Sequence, residues 1–134
     1  MDWKEIRKIH TFLPISSKGW HQHPNGGGWI QDTAKVENSA FVGDEAIVYN
    51  DATVKDRAKV YGRARVYGRA ELYDDSRVYG NARVYGYAIL RDKAKAYGDT
   101  KVYDEALIYD KGKVSGKAIV SGTEVVAESY IKYI

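Results

Sequence analysis

The sequence predicts an all-β solenoid, and three observations carry that expectation. From Ile30 to Val126 every sixth residue is aliphatic, with Ala96 the smallest, and the register never slips. Two places before each of these sits a second small residue, alanine from Ala34 to Ala118 apart from Ser76, Thr100 and Gly112, until Glu124 breaks the rule. Two places after each, from Asp32 to Gly122, the chain carries only Gly, Asp or Asn.

A six-residue period fits neither a heptad nor the periodicity of an amphipathic helix, and short internal repeats specify a solenoid. Within each repeat the small residue and the aliphatic one lie two apart. In an extended strand they point the same way, so they form the core and the residue between them points out. Gly, Asp and Asn are the residues that tolerate positive φ, which predicts a sharp corner after every strand.

In chain order, residues 1–28 read as an N-terminal cap or arm. Asp2 and Glu5 have capping-box spacing, and Trp3, Ile6, Ile9 and His10 share one helical face, which predicts a short helix closing the first coil. Phe12, Leu13, Trp20 and Trp29 supply further packing, and Gly26, Gly27 and Gly28 read as a tight lead into the first strand. Residues 29–128 are the repeat array. Residues 129–134 form a tail that loses register but keeps Tyr130, Ile131, Tyr133 and Ile134, suited to capping the last coil or meeting another subunit.

The unit A-x-V-x-[G/D/N]-x resembles the hexapeptide-repeat proteins. That resemblance implies a left-handed parallel β-helix with three strands per coil and a triangular section, against the right-handed rule for parallel crossovers. About five coils at roughly 4.8 Å each would give a prism on the order of 25 Å tall. A chain of 134 residues is of single-domain size. It has no cysteine, which excludes disulfides and thiolate chemistry, and its start, MDWKEIRKIH, is too charged for a signal peptide. No apolar run reaches membrane length, so a cytoplasmic protein without a membrane partner is expected.

With three strands per coil, residues eighteen apart stack, and the outward positions sort into three faces. The first face carries Trp29, Ile47, Arg65, Arg83, Lys101 and Ile119 beside Gln31, Tyr49, Tyr67, Tyr85, Tyr103 and Ser121. The third carries Phe41, Lys59, Arg77, Lys95 and Lys113 beside Gly43, Tyr61, Tyr79, Tyr97 and Ser115. The second differs, because its C-terminal half is apolar: Ile89, Leu107, Val125 and Tyr109. Such a patch exceeds what a monomer leaves in water. Hexapeptide-repeat proteins are commonly parallel homotrimers, so the resemblance implies self-association through this face.

The net charge of +3 understates two locally cationic faces. Tyrosine beside arginine suits a small anion bearing a ring, with the guanidinium taking phosphate and the aromatic side chain stacking. The expected ligand residues are Lys59, Tyr61, Arg65, Tyr67, Arg77, Tyr79, Arg83, Tyr85, Lys95 and Lys101. The competing reading is that stacked tyrosines merely strengthen the ladders and that lysines guard solubility. Extended nucleic acid is disfavoured by the modest charge and the acidic corners.

His21 and His23 lie one residue apart in the arm, positioned for ligand contact or a structural role; two histidines do not make a catalytic metal site, and no metal or other cofactor is expected. Acyltransferases and carbonic anhydrases of the hexapeptide-repeat architecture carry their histidines on the coils, and this array has none. The expected function is therefore a non-catalytic homotrimeric binding protein holding a nucleotide-like anion in clefts between subunits. The array also resembles small hexapeptide-repeat proteins of bacteriophages, which would make sequestration of a host immune signalling nucleotide attractive. The alternatives are an acyl- or nucleotidyl-type transferase with a histidine base from the arm, and a structural spike or assembly module.

Overall fold

The inward Ala-x-Val pairs close one continuous core: from Ala40 to Val120 nearly every one of them is fully buried, and Val126 closes the far end. A computed structural model describes residues 1–132, with side chains through Glu128. The chain winds through about five turns of a parallel β-solenoid built from three sheets. The first sheet contains Trp29–Gln31, Ile47–Val48, Arg65–Val66, Arg83–Val84, Lys101–Val102 and Ile119–Val120. The second runs from Lys35–Val36 to Val125–Val126, and the third from Phe41–Val42 to Ser129–Lys132.

Strands of two residues are held because every coil pairs with the next in the same register. The N–H of Lys59 donates to the carbonyl of Ser76 (3.0 Å), and that of Tyr61 to the carbonyl of Val78 (3.0 Å), a step of seventeen that recurs throughout. From Asn50 onward the corner residues adopt left-handed φ, including Asp56, Asp74, Asp92, Asp104 and Asp110 near 50–60°. The non-glycine corners are stabilised by their own side chains. Asp56 accepts from the N–H of Asp74 (3.0 Å), Asp74 from Asp92 (3.0 Å), and Asp92 from Asp110 (2.9 Å), so one column of carboxylates satisfies the next corner upward.

The first coil departs from this pattern. Asp32, Asn38 and Asp44 do not take positive φ. There Gln31 and Glu37 side chains accept from the N–H groups of Asn50 (2.8 Å) and Asp56 (2.9 Å) instead. Asp32 is drawn to the arm, its N–H donating to the carbonyl of Gly19 (2.8 Å) and its carboxylate meeting His21.

The N-terminal helix spans Trp3–Ile9, and the Asp2–Glu5 capping box forms: Asp2 Oδ1 accepts from the Glu5 N–H (2.8 Å) and Glu5 Oε1 from the Asp2 N–H (3.0 Å). Its location differs from the expectation of a plug over the first coil. Ile6 and Leu13 pack on Ile47, an outward residue of the first sheet that is 0% exposed, with Trp3, Trp20, Trp29 and Tyr49 around them. The helix lies against the outside of the prism.

The first edge is closed instead by extended chain. Trp20–Gln22 pairs antiparallel with Trp29–Gln31. The carbonyls of Ala40 and Val42 have no earlier coil beneath them; Gly28 N–H supplies one bond, to Val42 (2.9 Å), and buried His23 the other, its Nε2 donating to Ala40 (2.7 Å). A bare sheet edge would otherwise leave these acceptors unpaired.

At the far end the tail forms a strand, Ser129–Lys132, pairing with Lys113–Gly116. Lys113 faces Ser129, sixteen residues on rather than eighteen, so the last corner is two residues short. Gly112 replaces alanine because of that shortcut: a Cβ there would lie 2.6 Å from the Val126 carbonyl oxygen and 2.8 Å from Ile108 Cγ2. Tyr133 and Ile134 lie outside the described residues.

Candidate functional site: the cationic tyrosine faces

Parallel pairing puts identical chemistry in lateral register. On the third sheet, Phe41 faces Lys59, Lys59 faces Arg77, Arg77 faces Lys95 and Lys95 faces Lys113. Neighbouring strands are about 4.8 Å apart, at which spacing like charges repel. Beside this column, on the corner between the second and third sheets, run Arg57, Asp75, Lys93 and Lys111. Arg57 Nε lies 3.3 Å from Asp75 Oδ1. Among the described residues, no ion pair engages Lys59, Arg77, Lys93, Lys95, Lys111 or Lys113.

On the other side of the strand, Tyr61, Tyr79 and Tyr97 stack with ring centroids 4.8 Å apart and planes within 3°. The geometry changes what these rings can do. Each mid-ladder face is already covered by a neighbouring ring, so the stack offers its rim and hydroxyls rather than an open face. Burial, then the neighbouring tyrosines Tyr61 and Tyr97, pushes the Tyr79 hydroxyl up from its ordinary value, keeping it a neutral hydrogen-bond donor rather than a nucleophile.

The first sheet carries the same two columns, but the arm divides them. Arg65 Nε donates to His10 Nδ1 (2.9 Å), and its guanidinium lies 4.8 Å above the Phe12 ring. Tyr49 packs on Phe12 and Trp20 at 5.2 and 6.0 Å. Tyr67, Tyr85 and Tyr103 continue the stack at 4.7–4.9 Å. Burial pushes the hydroxyls of Tyr67 and Tyr85 up in the same way. Arg65 is thus committed to the arm, while Arg83 and Lys101 are exposed.

His10, which the sequence marked only as helix packing, is the residue that fastens this arrangement. It is buried, and Nε2 lies 2.7 Å from the carbonyl oxygen of Glu45. A carbonyl only accepts and Arg65 Nε only donates, so the ring is the neutral Nε2–H tautomer. Burial first, and then the charges of Arg65, Arg63 and Arg83, hold its pKa down at about 4 despite the Glu45 bond. The signal that a cover lies here was present in the sequence: Trp29 and Ile47 head an outward column that is otherwise cationic.

The two other histidines separate. His23 is buried and occupied by Ala40, whereas His21 is exposed with Nδ1 2.7 Å from Asp32 Oδ1. Among the described residues, no three His, Asp or Glu side chains come together as a metal-binding group.

The shortened last corner opens two adjoining clefts. One, of about 590 Å³, is lined by Arg77, Lys93, Lys95, Lys111 and Lys113 together with Asp75, Ala127 and Glu128. The other, of about 740 Å³, lies along the corner aspartates Asp74, Asp92 and Asp110 and shares Lys93, Lys111, Asp75 and Glu128 with the first. Sequence reasoning singled out Arg77 and Lys95, but Lys93 and Lys111 were missed because they occupy corner positions that hold Arg57 and Asp75 lower down.

The second sheet aligns Glu71, Ile89, Leu107 and Val125. Val125 is 59% exposed, and Arg91 lies 5.2 Å over the Tyr109 ring. Among the described residues no helix is long and apolar enough to cross a membrane.

Fold and surface together define a parallel β-solenoid with two cationic tyrosine faces and one apolar face. A family model described as YdcK Beta solenoid repeat matches residues 76–92, a single stretch of the array. No curated protein and no solved structure matches the chain.

Proposed function

We propose that the chain is a non-catalytic binding protein that holds a small anionic, nucleotide-like ligand, acting as a parallel homotrimer packed through its second sheet. The observation that carries this reading is the Lys59–Arg77–Lys95–Lys113 column: four cations in direct register with no ion pair among the described residues. An anion bridging adjacent members would relieve that repulsion with charge-assisted hydrogen bonds. The Tyr61–Tyr79 rim beside it supplies hydroxyl donors and an apolar flank for the rest of the ligand. Arg83, Lys101 and Tyr85 give the first sheet a smaller version of the same surface.

The proposed trimer rests on the outward apolar column of half-buried Ile89 and Leu107 and exposed Val125. If copies meet there, the adjoining corner and its clefts lie at the subunit boundary. Native mass spectrometry of freshly purified protein tests both parts together. The expected result is a mass of three chains that releases a phosphorylated small molecule on denaturation. A bare single-chain mass, with no nucleotide taken up in titration, refutes the reading.

The His21–Asp32 pair supports a second reading, a transferase base delivered by the arm, since the carboxylate orients the ring through Nδ1 and the side chain is exposed. Turnover that His21→Ala abolishes without unfolding the chain would select it.

A further inference from the structure

We propose that the shortened last coil makes a phosphate shelf: Lys93 and Lys111 on the corner, with Arg77, Lys95 and Lys113 on the strand, take a chain of two or three linked phosphates. The inference rests on the anion-binding reading above and names the part of the ligand that this end of the solenoid holds.

The shelf arises from the break in register. In earlier coils, a full corner stacks on the one below. Here Val126, Ala127 and Glu128 cut across to Ser129 two residues early, so the corner that carries Lys111, itself stacked on the corner of Lys93, has no full corner above it. Two cationic columns then run side by side. Their members repeat about every 4.8 Å along the axis. That grid is too wide for one phosphate to reach every charge and suits a linear chain of several.

Charge balance points the same way. Five cations and two carboxylates, Asp75 and Glu128, line the cleft, and Asp75 is already engaged by Arg57. The aspartates of the adjoining corner are partly satisfied by backbone N–H groups, since Asp74 and Asp92 each accept from the corner above. Four lysines rather than a rigid guanidinium pair favour a flexible polyanion over a planar carboxylate. Linked phosphates occur both in nucleoside di- and triphosphates and as inorganic tripolyphosphate, and the shelf recognises the chemistry that they share.

The test is calorimetric titration of the full chain with inorganic phosphate, tripolyphosphate, AMP and ATP. The double variant Lys93→Glu/Lys111→Glu is compared with Lys18→Glu, a charge change on the exposed arm. Tripolyphosphate and ATP should bind at least about tenfold more tightly than phosphate and AMP, with affinity falling as salt rises. The double variant should lose at least about tenfold for both polyphosphates, while Lys18→Glu retains wild-type affinity. ATP binding tighter than tripolyphosphate identifies the nucleotide as the better occupant; equal binding identifies the phosphate chain alone. If ATP and AMP bind equally and the double variant is indifferent, the shelf is overturned while the anion-binding reading stands. If none of the four binds, both fall. Circular dichroism of the double variant excludes loss through unfolding, and Lys93→Gln/Lys111→Gln gives a milder change of the same sign if the reversal fails to fold.

Discussion

Acid should detach the arm before it unfolds the solenoid, because His10 is held neutral between a carbonyl acceptor and an arginine donor. Protonation would place an Nδ1–H against Arg65 Nε–H, 2.9 Å away, and a second charge close to Arg63, Arg65 and Arg83. The folded pKa of about 4 lies below the ordinary 6.5. The stabilisation is therefore present in full above pH 6.5 and is lost as pH falls toward 4. Linkage between those two values gives a loss of about 2 kcal/mol at pH 5 and about 3 kcal/mol at pH 4.

The chain supplies its own reporter. All three tryptophans, Trp3, Trp20 and Trp29, sit in the arm cluster, with Trp3 centroids 5.3 and 5.0 Å from the other two. Tryptophan fluorescence in a urea titration follows the arm, and far-ultraviolet circular dichroism follows the coils. Between pH 7.5 and 4.5 the fluorescence midpoint should drop and separate from the dichroism midpoint. His10→Gln keeps an amide donor for Glu45 and an acceptor for Arg65 without a titrating group, so its fluorescence midpoint should respond much less. If the wild type and His10→Gln show the same pH dependence, His10 does not control the arm and the tautomer argument is wrong.

Gly112→Ala should destabilise the chain by about 1–3 kcal/mol, as overpacking does, because its Cβ meets the Val126 carbonyl; urea denaturation reads the loss. Asp92→Ala removes the acceptor for the Asp110 N–H and puts at φ 58° a residue that tolerates the left-handed region less well than aspartate, which together should lower stability by about 1–3 kcal/mol, whereas Asp92→Asn should lose less than half of that. Leu107→Glu places a charge in the middle of the apolar column. Light scattering should then give a single-chain mass with unchanged circular dichroism, and a persistent trimer would remove the second sheet from the interface.

Regularity made the fold legible. Inward Ala and Val, outward mid-strand residues and Gly or Asp corners each repeat, so a single rule written on Ile30 holds at Val120. The capping box was legible for the same reason, since Asp2 and Glu5 signal locally. What did not show was every contact made once. The His10–Arg65 bond joins residues 55 apart. The bond from His23 to Ala40 exists because a first coil has no predecessor, a property of an end rather than of a motif. The two-residue shortcut before Ser129 lies where the sequence pattern has already lapsed, so loss of register read as a tail although the backbone continues as a strand. The tyrosine columns were placed correctly, but that their faces cover one another at 4.7–4.9 Å follows from parallel register and not from composition.

The departures from the repeat fall at opposite ends of the prism and act on different faces, which gives a nearly symmetric scaffold one distinct surface. At the start, the arm covers the head of the first sheet's cationic column and ties up Arg65. At the finish, the missing two residues leave the Lys111 corner, above that of Lys93, without a full corner on top of it beside the third sheet's column. A repeat alone would leave the first and third sheets nearly equivalent. With one cationic column partly covered and the other enlarged by a corner, an anion meets its highest density of free positive charge at the C-terminal half of the third sheet, beside the apolar column at which a second copy would pack. The same two breaks predict that trimming the arm exposes a second, weaker anion surface at Arg65 and Arg83, while lengthening the corner after Val126 by two residues closes the stronger one.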